Sequence, residues 1–123
     1  MNSHLQEEVI ITKINDYSKI MEDTLGNSFD LSDFFTENEV ADLDKKYFKR
    51  KILSRLLIKK TICKKLKITK NFYKEIEIIN NKWGKPTLSL SEKIKKMINE
   101  SVMKNFSFSI THSRNYVGVL IIF

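Results

Sequence analysis

A chain of 123 residues that is 41% hydrophobic, with one Trp, four Tyr and eight Phe, holds enough apolar material for one domain spanning 1–123 and is too short for two. The net charge of +7 and a pI near 9.5 imply an anionic partner: nucleic acid, a phosphorylated cofactor, an acidic protein or a membrane surface. A single cysteine, Cys63, excludes an internal disulfide and a cysteine-based zinc site, and no apolar run approaches the ~20 residues of a membrane span. Together with a polar, acidic N-terminus, these features predict a soluble cytoplasmic protein with no membrane partner.

In chain order, His4 has no partner in sequence and is expected to be disordered. Val9, Ile10, Ile11 and Ile14 predict an opening strand, and from Tyr17 the pattern turns helical through Ile20, Met21 and Leu25 to the Gly26-Asn27 break. Residues 30–35 predict a short helix or turn. Thr36 followed by Glu39 is a capping-box pattern, opening a helix from about Glu37 to Lys46. The stretch from Tyr47 to Leu66 carries Ile52, Leu53, Leu56, Leu57, Ile62, Cys63 and Leu66 at three- and four-residue steps with no Gly or Pro between them. It predicts one long amphipathic helix, the centre of the domain, with Cys63 packed on its apolar face. From Lys45 to Lys70 there are twelve Lys or Arg residues and no Asp or Glu, so this helix repels itself unless anions lie against it. Residues 1–44 hold eleven acidic side chains against Lys13 and Lys19, which sets the two parts of the chain to attract each other.

After Leu66 the pattern becomes that of a sheet. Residues 75–79 and 87–90 alternate around the turn residues Asn80 to Pro86 and predict a hairpin. Ser91 caps a helix whose stripe is Ile94, Met97 or Ile98, and Val102. Phe106, Phe108, Ile110 and His112 share one face of the next strand, and Tyr116 to Phe123 is a final apolar strand. The order β-α-α-α-β-β-α-β-β predicts an α+β fold with a mainly antiparallel sheet packed on the long central helix.

These segments together resemble the holo-acyl-carrier-protein synthases, the small 4′-phosphopantetheinyl transferases. The similarity is carried by the helix from Arg55 to Leu66 with Lys59, Lys60 and Lys64, by Trp83-Gly84-Lys85-Pro86 after Ile76-Glu77-Ile78, and by Phe108 to His112 with Tyr116. Phe35-Thr36 and Glu39 also keep their spacing, so the resemblance runs along nearly the whole chain. It implies a subunit that assembles into a trimer with active sites at the subunit contacts. It also implies transfer of phosphopantetheine from coenzyme A to a serine of an acidic acyl or peptidyl carrier protein, using Mg²⁺. Residue by residue, it assigns Lys59, Lys64, Gly84, Lys85, Pro86 and His112 to the coenzyme A site, with Lys64 also among the catalytic positions.

The departures concern the metal. Where the family's helix motif has a Glu ligand, this sequence has Lys60, and aligning Ile20 and Glu39 without gaps puts Lys13 at the acidic position closing the first strand. A shifted alignment makes Asp16 the ligand but leaves Lys60 unexplained. Mg²⁺ needs oxygen ligands, and two ammonium groups repel it, so no metal ligand is assigned and ordinary Mg²⁺-dependent transfer is expected to be lost. Two lysines carry the charge of one magnesium and could pair directly with a diphosphate; alternatively Lys60 and Lys64 are solvated lysines on a basic helix. Gly84 to Pro86 is alternatively only a turn, and Trp83 a packed or interface residue instead of a base-stacking platform. The first helix offers Lys19 beside Glu22 and Asp23, a poor match for an acidic carrier protein, which would then dock elsewhere, such as on Lys45 to Lys51. Two other readings remain: an active transferase with a non-standard site, and a basic nucleic-acid-binding module, which lacks any glycine-rich loop, zinc spacing or stacking motif in its favour.

Overall fold

The β-branched run near the N-terminus forms strand β1 (Glu7–Lys13) in the computed structural model, which describes residues 6–43, 46–101 and 103–123. The strand begins two residues before Val9 because Glu7 and Glu8 pair with Ile122 and Ile121 at the other end of the chain. A 3₁₀ turn, Ile14–Asp16, leads into α1 (Tyr17–Leu25), which ends at Gly26 with φ +101°, a conformation a side chain would strain. His4 lies outside the described residues.

The C-terminal strand β5 (Tyr116–Ile122) lies between β1 and β4 (Ser107–His112), antiparallel to both. Its central place explains its unbroken apolar run. The register sets Ile10, Val119 and Ile110 in one row and Ile11, Gly118 and Thr111 in the next, on opposite faces. The first face is buried against the long helix α3 (Phe48–Leu66), whose Ile52, Leu56, Ile62 and Cys63 join Val117, Val119 and Ile121 in the core. The second face stays open, with Val9 62% and Ile11 68% exposed.

The predicted hairpin forms as β2 (Ile76–Asn80) and β3 (Pro86–Leu90), but as a second, two-stranded sheet separate from the first. Ser91 caps α4 (Glu92–Asn99), which buries Ile94 and Ile98; Val102, expected on that stripe, lies outside the described residues. The capping box is complete: Thr36 Oγ1 accepts from Glu39 N–H, and the Glu39 carboxylate accepts from Thr36 N–H. The helix it opens, α2 (Glu37–Ala41), is shorter than the expected run to Lys46, because Asp42 ends it with its carboxylate engaged by β2 and α3. No helix among the described residues is long and apolar enough to cross a membrane.

Candidate functional site

Charged residues at helical spacing close the free edge of β2. Glu39 and Asp42 lie one turn apart around the end of α2, and Arg55 and Lys59 one turn apart on α3. Glu39 Oε2 accepts from Ile78 N–H at 3.1 Å, and Asp42 Oδ2 accepts from Asn80 N–H at 2.9 Å. Lys59 Nζ donates to the Ile76 carbonyl and Arg55 Nε to the Ile78 carbonyl. The pairs then join each other, Lys59 to Glu39 at 2.7 Å and Arg55 to Asp42 at 3.5 Å. Two ion pairs thus occupy the place of a third strand beside β2.

Lys59 is the more deeply placed of the two cations. Its side chain and that of Glu39 are 0% exposed, and its ammonium also donates to the carbonyls of Phe34 and Tyr73. Burial pulls Lys59 below its ordinary value, and the Glu39 carboxylate pulls it back. Arg55 is lowered by burial in the same way and held up chiefly by Asp42. Burial pushes the nearby Cys63 thiol up to about 11 and the Tyr73 phenol up to about 12, so both are neutral groups at pH 7.

Beside the Arg55 rung opens a cleft of about 370 Å³. Arg55 and Asn80, hydrogen bonded at 3.0 Å, form one part of its lining, and Gly84 and Pro86 of the hairpin turn another. Asn81 Oδ1 accepts from both Trp83 N–H and Lys85 N–H, and Gly84 has φ +80°, so the turn backbone is defined. Across from it, β4 brings His112 to α3: Arg50 Nη1 stands 3.2 Å from His112 Nδ1 and Arg50 Nη2 donates to the Ser113 carbonyl. A guanidinium only donates, so Nδ1 accepts and the remaining proton of a neutral imidazole is on Nε2, a donor for an anion. A second cleft, about 550 Å³, shares Tyr47 and Arg50 with the first and adds Lys46, Lys49 and Arg114. Among the described residues no Asp or Glu lines either cleft, so the pair forms a strongly cationic surface suited to phosphate groups.

The structure divides the residues singled out in the sequence. Gly84, Pro86 and His112 come together in the 370 Å³ cleft, and Lys85 is exposed on the adjoining turn. Lys59 does not line this cleft: it is buried and paired with Glu39, with its ammonium surrounded by protein oxygens. Lys64 lines a different groove with Gln6, Glu8 and Lys65 at the start of β1. Lys13 ends that strand five residues beyond Glu8, about 16 Å at ~3.3 Å per residue. Lys13 and Lys60 are both exposed. Lys45, part of the suggested docking stretch, lies outside the described residues. Sequence reasoning gave Arg50 only as part of the docking stretch from Lys45 to Lys51 and assigned no site role to Arg55, Asn80 or Asp42. The i, i+4 spacing of Arg55 and Lys59 against the i, i+3 spacing of Glu39 and Asp42 was the available signal.

A magnesium ion would need free oxygen ligands near the expected metal positions. Glu39 is engaged through both oxygens, and among the described residues no group of three or more His, Cys, Asp or Glu is placed to hold a metal. The donor set at Lys13 and Lys60 is cationic and does not fit Mg²⁺.

Comparisons with known proteins point the same way as the fold. A family model described as 4′-phosphopantetheinyl transferase, N-terminal, matches residues 38–121. No curated protein sequence matches significantly. Among solved structures, the ACPS–CoA complex of Chronobacterium ammoniagenes is similar at 15% identity and TM-score 0.69, covering 98% of this chain and 96% of that one. The Helicobacter pylori holo-[acyl-carrier-protein] synthase in complex with coenzyme A is 17% identical, with TM-score 0.62 and coverage of 94% and 97%. The holo-ACP-synthase of Plasmodium yoelii is 25% identical, with TM-score 0.50 and coverage of 98% and 96%.

Proposed function

This chain belongs to the 4′-phosphopantetheinyl transferase family, and from that premise we propose that it binds coenzyme A in the basic cleft but has lost ordinary Mg²⁺-dependent transfer. One observation carries the binding half: α3, the hairpin turn and the end of β4, far apart in sequence, deliver Arg50, Gly84, Pro86 and His112 to a single cleft that no carboxylate lines among the described residues. Arg50 and His112 pair with the phosphates of the 3′,5′-ADP portion, and Gly84 to Pro86 border its base. The similar solved structures that contain coenzyme A support this choice of ligand.

The loss of transfer rests on Lys13 and Lys60. Two ammonium groups neutralise a diphosphate, but as point charges they reproduce poorly the orientation of phosphate oxygens that carboxylate-held Mg²⁺ supplies. Lys64, in the separate groove beside the start of β1, adds its positive charge there and not in this cleft. The partner in this reading is an acyl or peptidyl carrier protein, met as a homotrimer. The open face of the three-stranded sheet, with Val9, Ile11 and Tyr116 exposed, supports association of copies.

The test is to incubate the protein with coenzyme A, Mg²⁺ and several apo-carrier proteins and to weigh the products, beside calorimetric titration of 3′,5′-ADP. Nucleotide binding that weakens with salt, hardly responds to Mg²⁺ and is accompanied by no serine modification is the expected result. Robust Mg²⁺-dependent transfer by the unmodified protein overturns the loss, and absence of nucleotide binding overturns the cleft. In Lys60→Glu with Lys13→Asp, Mg²⁺ is expected to strengthen 3′,5′-ADP binding. Light scattering tests the trimer, which a monomer at high concentration would exclude.

A further inference from the structure

Trp83 is 78% exposed, more than any other exposed large apolar side chain in the described part of the chain. Large aromatic surface on a mobile tip would be unremarkable, but this one stands on a pinned turn. Its own N–H and that of Lys85 both bond Asn81 Oδ1, at 2.9 and 3.0 Å, and Asn81 N–H and Gly84 N–H bond the Lys85 and Asn81 carbonyls at 2.8 and 2.9 Å. The ammonium of Lys82 sits 4.5 Å from the centre of the indole ring, a cation–π contact that occupies one face. The next residue, Gly84, and Pro86 line the cleft that holds Arg50, Arg55 and His112. Tyr47, the aromatic within that cleft, already carries the Arg50 guanidinium at 4.6 Å.

We infer that the indole of Trp83 is the stacking platform for the base of a nucleotide whose phosphates pair with Arg50 and His112, the ring's second face closing over the purine at the mouth of the cleft. The inference rests on the coenzyme A reading above and adds to it a residue that selects for a planar base. Stacking needs a flat, rigid, desolvatable surface next to the phosphate-binding cations, and this turn supplies one beside Gly84, whose lack of a side chain opens the approach.

The chain has one tryptophan, so its fluorescence reports on Trp83 alone. Titrating the full chain with 3′,5′-ADP is expected to quench that emission, whereas pyrophosphate, which has no base, leaves it unchanged. By calorimetry, Trp83→Ala should weaken 3′,5′-ADP about tenfold and pyrophosphate by less than about twofold, with Trp83→Phe close to the unmodified protein. Equal weakening of both ligands overturns the stacking role, as does calorimetric binding of 3′,5′-ADP with unchanged emission. Emission that shifts with protein concentration but not with nucleotide also overturns it, placing the ring against a second copy. If 3′,5′-ADP does not bind in calorimetry at all, the coenzyme A reading falls first and this inference falls with it.

Discussion

Lys59 and Lys60 are neighbours on one helix, and the fold gives them opposite surroundings. Lys59 points between α2 and β2, where a carboxylate and three carbonyls meet its ammonium, while Lys60, a 100° step around α3, faces water. Arg55 repeats the Lys59 arrangement one turn earlier, and Lys64 repeats that of Lys60 one turn later. The comparison separates two uses of positive charge on α3. Buried cations hold the second sheet in place, and exposed ones leave a field for anions. A charge is tolerated in the core only when its donors are met, so the basic character of the helix does not by itself mark a binding surface.

The largest test breaks the buried rung. Lys59→Met leaves the Glu39 carboxylate buried without its cation and should lower stability by about 3–5 kcal/mol, whereas Lys60→Met should stay within about 0.5 kcal/mol. Urea denaturation of the two variants measures both, and equal losses would erase the distinction. The buried neutral groups around that rung give the next effect. Cys63 and Tyr73 have folded values raised to about 11 and about 12, above their ordinary 9.0 and 10.0. The unfolded chain therefore loses these protons first, and stability present below about pH 9 is lost as pH rises toward 11 to 12, by roughly 2–3 kcal/mol per group. Lys59, lowered by burial, gives the opposite slope and reduces the net loss. Urea midpoints that stay level from pH 8 to 11 would contradict this placement of Cys63 and Tyr73.

Among the cations outside the core, the two ends of α3 should differ. Arg50→Ala removes the guanidinium beside His112 and should weaken 3′,5′-ADP roughly tenfold or more, while Lys64→Ala, in the groove at the start of β1, should change it by less than about threefold. A larger effect from Lys64→Ala would move the phosphates to the β1 end. The smallest effect concerns Lys67, which terminates α3 in the left-handed region at φ 59°. Glycine meets no steric penalty there, so Lys67→Gly should raise stability by up to about 1 kcal/mol, read as a shift in urea midpoint.

Much of the architecture was legible in local pattern. The 3.6-residue stripe from Ile52 to Leu66 gave the long helix within a residue of its start, Thr36 and Glu39 marked the next helix start, and alternation around the turn from Asn80 to Pro86 predicted the hairpin. The resemblance brought Lys59, Lys64, Gly84, Lys85, Pro86 and His112 forward as one group, and of these Gly84, Pro86 and His112 line one cleft. Each of those signals comes from residues a few positions apart or from a motif read in order.

What only the tertiary structure decided is which cations are inside. By periodicity, Lys59 and Lys60 are two basic residues flanking an apolar stripe; the buried one is chosen by Glu39, twenty positions earlier, and by the carbonyl of Ile76, seventeen later. The same long-range pairing ends α2 at Ala41, because the Asp42 carboxylate serves Asn80 and Arg55, and it closes the edge of β2, whose sheet is divided from the first. The cleft follows from that division, since Arg50 meets His112 only after β4 and α3 have packed across sixty-two positions. Sequence determines local conformation through steric and capping preferences within a turn or two. The desolvation of a charge depends on every group that surrounds it, and those groups are assembled only when the whole chain has folded.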